Sequence, residues 1–156
     1  MKARLLIALV VAILLALLLA APALSSQDTK LPGCTVPEEA AKKENPTKAD
    51  ASSVDEGRRL FVSQCALCHG KAGDGKGELV ESMKLKVRDY TNPAALAGIS
   101  DGAMFFVLQK GCGQMPAEGG RLKDSQMWSL VNYIRSLAKK SDVAEKKDAA
   151  APPQQE

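Results

Sequence analysis

Histidine occurs once in this chain of 156 residues, at His69, and aromatic side chains make up only 4%. A lone histidine excludes two-histidine ligation within the chain, and with no second cysteine pair at ligand spacing either, a tetrahedral zinc site is short of ligands. The aromatic residues (Phe61, Tyr90, Phe105, Phe106, Trp128 and Tyr133) all lie between positions 51 and 140. The stretches 25–50 and 141–156 have none, and with none they cannot build a packed core. Charge is also thin: 21 basic against 18 acidic residues give +3, and residues 51–140 hold 13 basic and 9 acidic groups. No basic run is interleaved with stacking aromatics, which excludes a nucleic-acid binder. The mild excess suits a docking bias toward an acidic partner. No internal repeat is present, and no stretch alternates apolar and polar residues between turn signals, so strand-rich folds are excluded.

What is present divides the chain into four. Lys2 and Arg4 precede an apolar run from Leu5 to Ala21, followed by the small-x-small site Ala21-Pro22-Ala23 and a polar stretch from Ser25. Basic head, apolar middle and cleavage site predict a signal peptide over 1–24, with an N-terminal membrane anchor as the alternative. In either case the chain after residue 25 is exported, because the basic end stays inside. Residues 25–50 read as a flexible linker, 51–140 as a compact domain of one core, and 141–156 as a disordered tail. Leu31-Pro32-Gly33-Cys34 is somewhat like a bacterial lipoprotein site, so a lipidated Cys34 is a second route to membrane association besides residues 5–24.

Within 51–140 the expected fold is all-α, three to five helices joined by glycine-rich loops. Ser53 with Glu56 is a capping box. Val54, Gly57, Phe61, Cys65 and Cys68 then recur at helical spacing, and Gly70 can end the helix. A short helix is expected over Leu79–Val87 and a turn at Tyr90-Thr91-Asn92-Pro93. Ser100 or Asp101 can cap a helix to Lys110, and Asp124 a last helix to about Lys140.

The chemistry is concentrated in Cys65-Ala66-Leu67-Cys68-His69. Two thiols three residues apart, followed at once by an imidazole, are the attachment signature of a c-type haem. The thiols add to the vinyl groups along one porphyrin edge, which sets His69 beneath the iron. A redox dithiol usually follows a strand, and none is visible. With one histidine, the sixth ligand must come from elsewhere. Met115 stands on a loop, in Gly111-Cys112-Gly113-Gln114-Met115-Pro116, whereas Met83, Met104 and Met127 fall in helical patterns where methionine fills cores. Cys112 is a chemical rival as a thiolate ligand; its other readings are a disulfide with Cys34 or a free thiol near the haem.

Residues 54–138 resemble a small bacterial monohaem class I c-type cytochrome. Gly57, Phe61 and Cys65 match that family's N-terminal helix, Trp128, Leu130 and Tyr133 its C-terminal helix, and Met115-Pro116 its methionine ligand loop. The resemblance implies a cytochrome c-like fold around one covalent haem c, with Cys65 and Cys68 as attachment points and His69 and Met115 as iron ligands. It also suggests Tyr90 and Trp128 as hydrogen-bond donors to the propionates, and Arg88 as a neutralising charge. Separately from the resemblance, Lys84, Lys86, Arg88, Lys110, Arg121 and Lys123 are candidates for a docking rim, with a plain solvated face as the alternative. The implied function is that of a monomeric, periplasmic one-electron carrier between redox protein partners. Its alternatives are a tethered electron-transfer subunit of a larger dehydrogenase or terminal oxidase, and a haem sensor or thiol-active haem enzyme using Cys112. Cys34 and Cys112 depart from the family pattern.

Overall fold

A computed structural model describes residues 28–149 of the chain, with side chains through Ala138. The expected leader (1–24), the start of the expected linker and the last residues of the tail lie outside them. No helix among the described residues is long and apolar enough to cross a membrane.

The elements in order are strands β1 (Thr29–Leu31) and β2 (Cys34–Val36), a helical turn α1 (Glu38–Ala41), then helix α2 (Ala51–Leu60). Helix α2 continues through a π-helical turn (Phe61–Cys65) into α3 (Ala66–His69). After it come α4 (Leu79–Ser82), a 3-10 turn (Pro93–Leu96), α5 (Asp101–Lys110) and α6 (Asp124–Ala149). The compact part is helical, as its periodicity predicts.

Helix α2 starts earlier than its sequence signal suggests. Asp50, not Ser53, is the N-cap: its carboxylate accepts from Ser53 N–H at 3.0 Å, while Ser53 Oγ accepts from Asp50 N–H at 3.3 Å. The box is reciprocal, with serine in the acidic partner's usual place. The main core contact is α2 against α6. Gly57 sets its closeness, since a Cβ there would collide with the Ser129 carbonyl and stand 2.8 Å from Tyr133 Cβ. Phe61 (1% exposed), Leu130 and Val131 (both 0%) are buried in the same core cluster. Each such side chain contributes about 1.5–3 kcal/mol by leaving water. Phe61 and Tyr133 meet at a tilt of 58°, with ring centroids 5.3 Å apart.

Residues 28–50, expected as a flexible linker, are ordered against this core. β1 and β2 pair antiparallel, with Thr29 opposite Val36 and Leu31 opposite Cys34. Val36 is fully buried. Ser100 caps α5 through Ala103 N–H and also donates to the Ala41 carbonyl at 2.5 Å. Asn45 Nδ2 donates to Asn132 Oδ1 at 2.8 Å, and Asn132 Nδ2 donates to the Thr47 carbonyl at 3.1 Å. One buried amide on α6 thus satisfies the polar backbone of the incoming segment.

Cys34 and Cys112 form a disulfide, with Cα atoms 5.2 Å apart. This is the disulfide reading of Cys112, and it rules out two other readings. The Cys34 sulfur is committed and cannot carry a thioether-linked lipid. Cys112 is neither a free thiol nor a thiolate ligand. At the other end, α6 runs past Lys140 to Ala149. The stretch after Lys140 has no glycine or proline before Pro152, so nothing in it stops a helix.

Candidate haem site

The π-helical turn prepares the attachment segment. Ala66 N–H reaches back five residues to the Phe61 carbonyl, widening the helix by one residue just before Cys65. Helix α3 then ends at Gly70, whose φ of 76° suits a residue without a Cβ. The following loop folds back on it: Gly75 N–H donates to the His69 carbonyl at 2.9 Å, and Tyr90 N–H to the Gly73 carbonyl at 2.7 Å.

These elements enclose a cavity of about 730 Å³, in the upper part of the roughly 300–1,000 Å³ range of small-molecule and cofactor sites. Cys65, Cys68, His69, Tyr90 and Met115 all line it, as do Lys86 and Arg88. Apolar walls come from Phe61, Leu85, Val87, Leu96, Ile99, Met104, Val107, Leu108 and Ile134. The hairpin turn, Leu31 to Gly33, forms part of one side.

Cys65 and Cys68 are the free cysteines of the described chain, both partly buried. Burial, with lesser contributions from Glu118 and Cys68, pushes the Cys65 thiol up to about 12. His69 stacks on Tyr90 with centroids 5.1 Å apart and planes 15° apart. Burial lowers its pKa, which favours the neutral imidazole that binds metals. Its Nδ1 is buried without a hydrogen-bond partner. Burial also pushes the Tyr90 hydroxyl up to about 12, so it stays protonated and able to donate.

Met115 is held by its backbone. Cys112 N–H donates to the Met115 carbonyl and Met115 N–H to the Cys112 carbonyl, each at 3.0 Å. Met83 is 55% exposed and off the cavity, while Met127 is 1% exposed within the core. Met104, expected as core filler, is buried but also reaches the cavity wall.

Trp128 is not brought to the site. Its ring stacks on Phe105 at 4.1 Å in the α5–α6 core and does not line the cavity. An amphipathic aromatic on a helix gives no sequence sign of whether it faces a ligand or a neighbouring helix. Arg88 lines the cavity, and its Nη1 donates to the Ala95 carbonyl at 2.6 Å. Sequence reasoning missed Glu118, a 5%-exposed carboxylate in the wall. Its Oε1 accepts from Arg121 Nη2 at 2.6 Å, and its Oε2 has no partner. Nothing in the sequence marks it as buried.

The donor set fits haem c. Two free thiols, a neutral imidazole with an unpartnered buried nitrogen and a thioether face one apolar cavity. Such a site on such a scaffold defines a class I c-type cytochrome, with haem c as the covalently bound, iron-bearing cofactor. Residues 52–134, more than half of the chain, match the family described as Cytochrome C oxidase, cbb3-type, subunit III, and the chain belongs to that family.

Relatives of two kinds carry the same domain. The chain is 34% identical over 92 residues to cytochrome c6 of Porphyra purpurea, covering 59% of this chain and 78% of that protein. It is 31% identical over 96 residues to the Cbb3-type cytochrome c oxidase subunit FixPc of Rhizobium leguminosarum bv. viciae, covering 58% of this chain but 30% of that subunit. A Kuenenia stuttgartiensis reducing HAO-like protein complex contains the same fold, at TM-score 0.53 and 24% identity over 59% of this chain and 46% of that one.

Proposed function

We propose that the protein is an exported one-electron carrier in which Cys65 and Cys68 hold the haem, His69 is the proximal ligand and Met115 the distal one. The observation that carries this reading is the meeting of both free thiols, the one histidine and a loop methionine on a single apolar cavity. Bound haem supplies a one-electron change at its iron. The chain's own residues do the rest. Two thioether links retain the cofactor outside the cell. His69 and Met115 would hold the iron and leave it no position for a substrate, which on this reading makes the protein an electron-transfer protein rather than an enzyme. A thioether ligand and the apolar wall both raise the reduction potential. Tyr90 and Arg88, which line the cavity, are the proposed propionate partners; Trp128, packed on Phe105, is not part of this proposal.

The partners are redox proteins. The match to an oxidase subunit favours a second reading, in which the same domain serves as the electron-transfer module of a larger membrane-associated assembly. Purification from native membranes under mild conditions separates the two: a carrier elutes alone, a module with a larger redox protein.

Exchange of Cys65 and Cys68 for serine should abolish covalent haem, leaving none after acid extraction. Met115→Ala should lower the potential and let the ferrous protein bind carbon monoxide. Closed, carbon-monoxide-inert haem in that variant would remove Met115 as ligand.

A further inference from the structure

We propose that the hairpin Thr29–Val36 and its disulfide to Cys112 form a positioning clamp for Met115, holding the ligand loop closed over the haem cavity. This rests on the reading of Met115 as axial ligand.

Cys112 and Met115 are joined by two reciprocal backbone hydrogen bonds of 3.0 Å. Whatever fixes Cys112 therefore fixes the backbone that presents the Met115 thioether. On its C-terminal side the loop is tied by Glu118 N–H to the Leu108 carbonyl at 2.8 Å and by Gly119 N–H to the Gln109 carbonyl at 3.2 Å, but between those ties and Cys112 the residues Gly113, Gln114, Pro116 and Ala117 are exposed and Met115 is only partly buried. Cys112 is instead tied across 78 residues to Cys34. Cys34 belongs to β2, which is anchored by the fully buried Val36 and paired with β1. The two backbones fit closely, since a Cβ on Gly33 would stand 2.8 Å from Gly113 Cα. The hairpin turn also lines the cavity beside the loop. Cys34 lies outside residues 52–134, so the family match does not include the clamp.

The test uses the complete holoprotein and a dithiol reductant. Dithiothreitol gives two electrons and two protons to the disulfide: the S–S bond breaks, two thiols form, and the reagent closes to its cyclic disulfide. Alkylation and mass measurement count the released thiols. Carbon monoxide affinity of the ferrous protein and the weak red-edge iron–thioether band of the ferric protein report on Met115.

Reduction should raise the carbon monoxide affinity by about tenfold or more, because apparent affinity scales with the fraction of molecules whose site is open. With the released thiols alkylated, the reagent removed and the iron returned to the ferric state with ferricyanide, the red-edge band should be weaker than in unreduced protein treated the same way. Cys34→Ser should behave like the reduced protein; if that variant does not fold, the reduced wild type carries the test. Two released thiols with unchanged affinity and band would overturn the clamp. So would the absence of a reducible disulfide, or loss of all helicity on reduction, which would make the bond a general staple. Met115→Ala separates the two claims. If it keeps the band, the ligand reading has failed; if it loses the band while reduction does not disturb it, only the clamp has failed.

Discussion

Met104 and Met115 both reach the cavity wall, but from different backbones. Met104 is buried within α5 and packs in the hydrophobic core, whereas Met115 projects from a loop held by two hydrogen bonds and a disulfide. A side chain locked in a core has other contacts to satisfy, and a loop methionine can be given over to one ligand. Met104→Ala should therefore cost stability, about 2–5 kcal/mol as for other buried methionine truncations, with the low-spin spectrum intact. Denaturant titration alongside an absorption spectrum checks both parts. At this scale the sequence marks the chemistry well where spacing carries it. Cys65, Cys68 and His69 are a fixed pattern, and Met115 stands out by its loop. Trp128 was not legible in this way, because its helical periodicity is the same whether its ring stacks on a cofactor or on Phe105. Glu118 was invisible because burial of a single carboxylate is a tertiary property.

Among the elements, the helices followed from periodicity and caps, but their limits did not. The start of α2 at Ala51 depends on Asp50 accepting from Ser53 N–H, a box with its residue types reversed. Hydrogen bonding to the Ser53 backbone leads the lowering of the Asp50 pKa below the aspartate value of 3.8. The sign follows: the charged cap stabilises fully above 3.8, and that contribution is lost as pH falls through the lower folded value. The wild type should melt above Asp50→Ala at neutral pH, and the gap should close on acidification below 3.8; thermal melts across pH test this. The α2–α6 crossing is a second element-scale feature. Gly57→Ala places a Cβ against the Ser129 carbonyl and Tyr133, so the helices must separate. A loss of about 1–3 kcal/mol is expected for such overpacking, read as a lower denaturation midpoint. The β1–β2 hairpin escaped the sequence reading because strands of three residues are too short to show alternation. They are held by tertiary ties, namely Val36 in the core and Cys34 on Cys112.

For the molecule as a whole, those ties turn an expected linker into part of the folded unit. The disulfide closes a separation of 78 residues, between the N-terminal hairpin and the ligand loop. Loops of that length constrain the unfolded chain strongly, so its removal should destabilise the protein by about 2–5 kcal/mol. Guanidinium unfolding of the oxidised and reduced holoproteins measures this directly. Asn132 adds a polar tie between the same segment and α6.

Closure of the haem iron by His69 and Met115 is what makes the proposed carrier a carrier. Optical spectra of the purified holoprotein, oxidised and reduced, with and without carbon monoxide, test it most directly. A low-spin haem with the red-edge iron–thioether band, indifferent to carbon monoxide, is expected. A high-spin haem, or a ferrous protein that binds carbon monoxide readily, would contradict it.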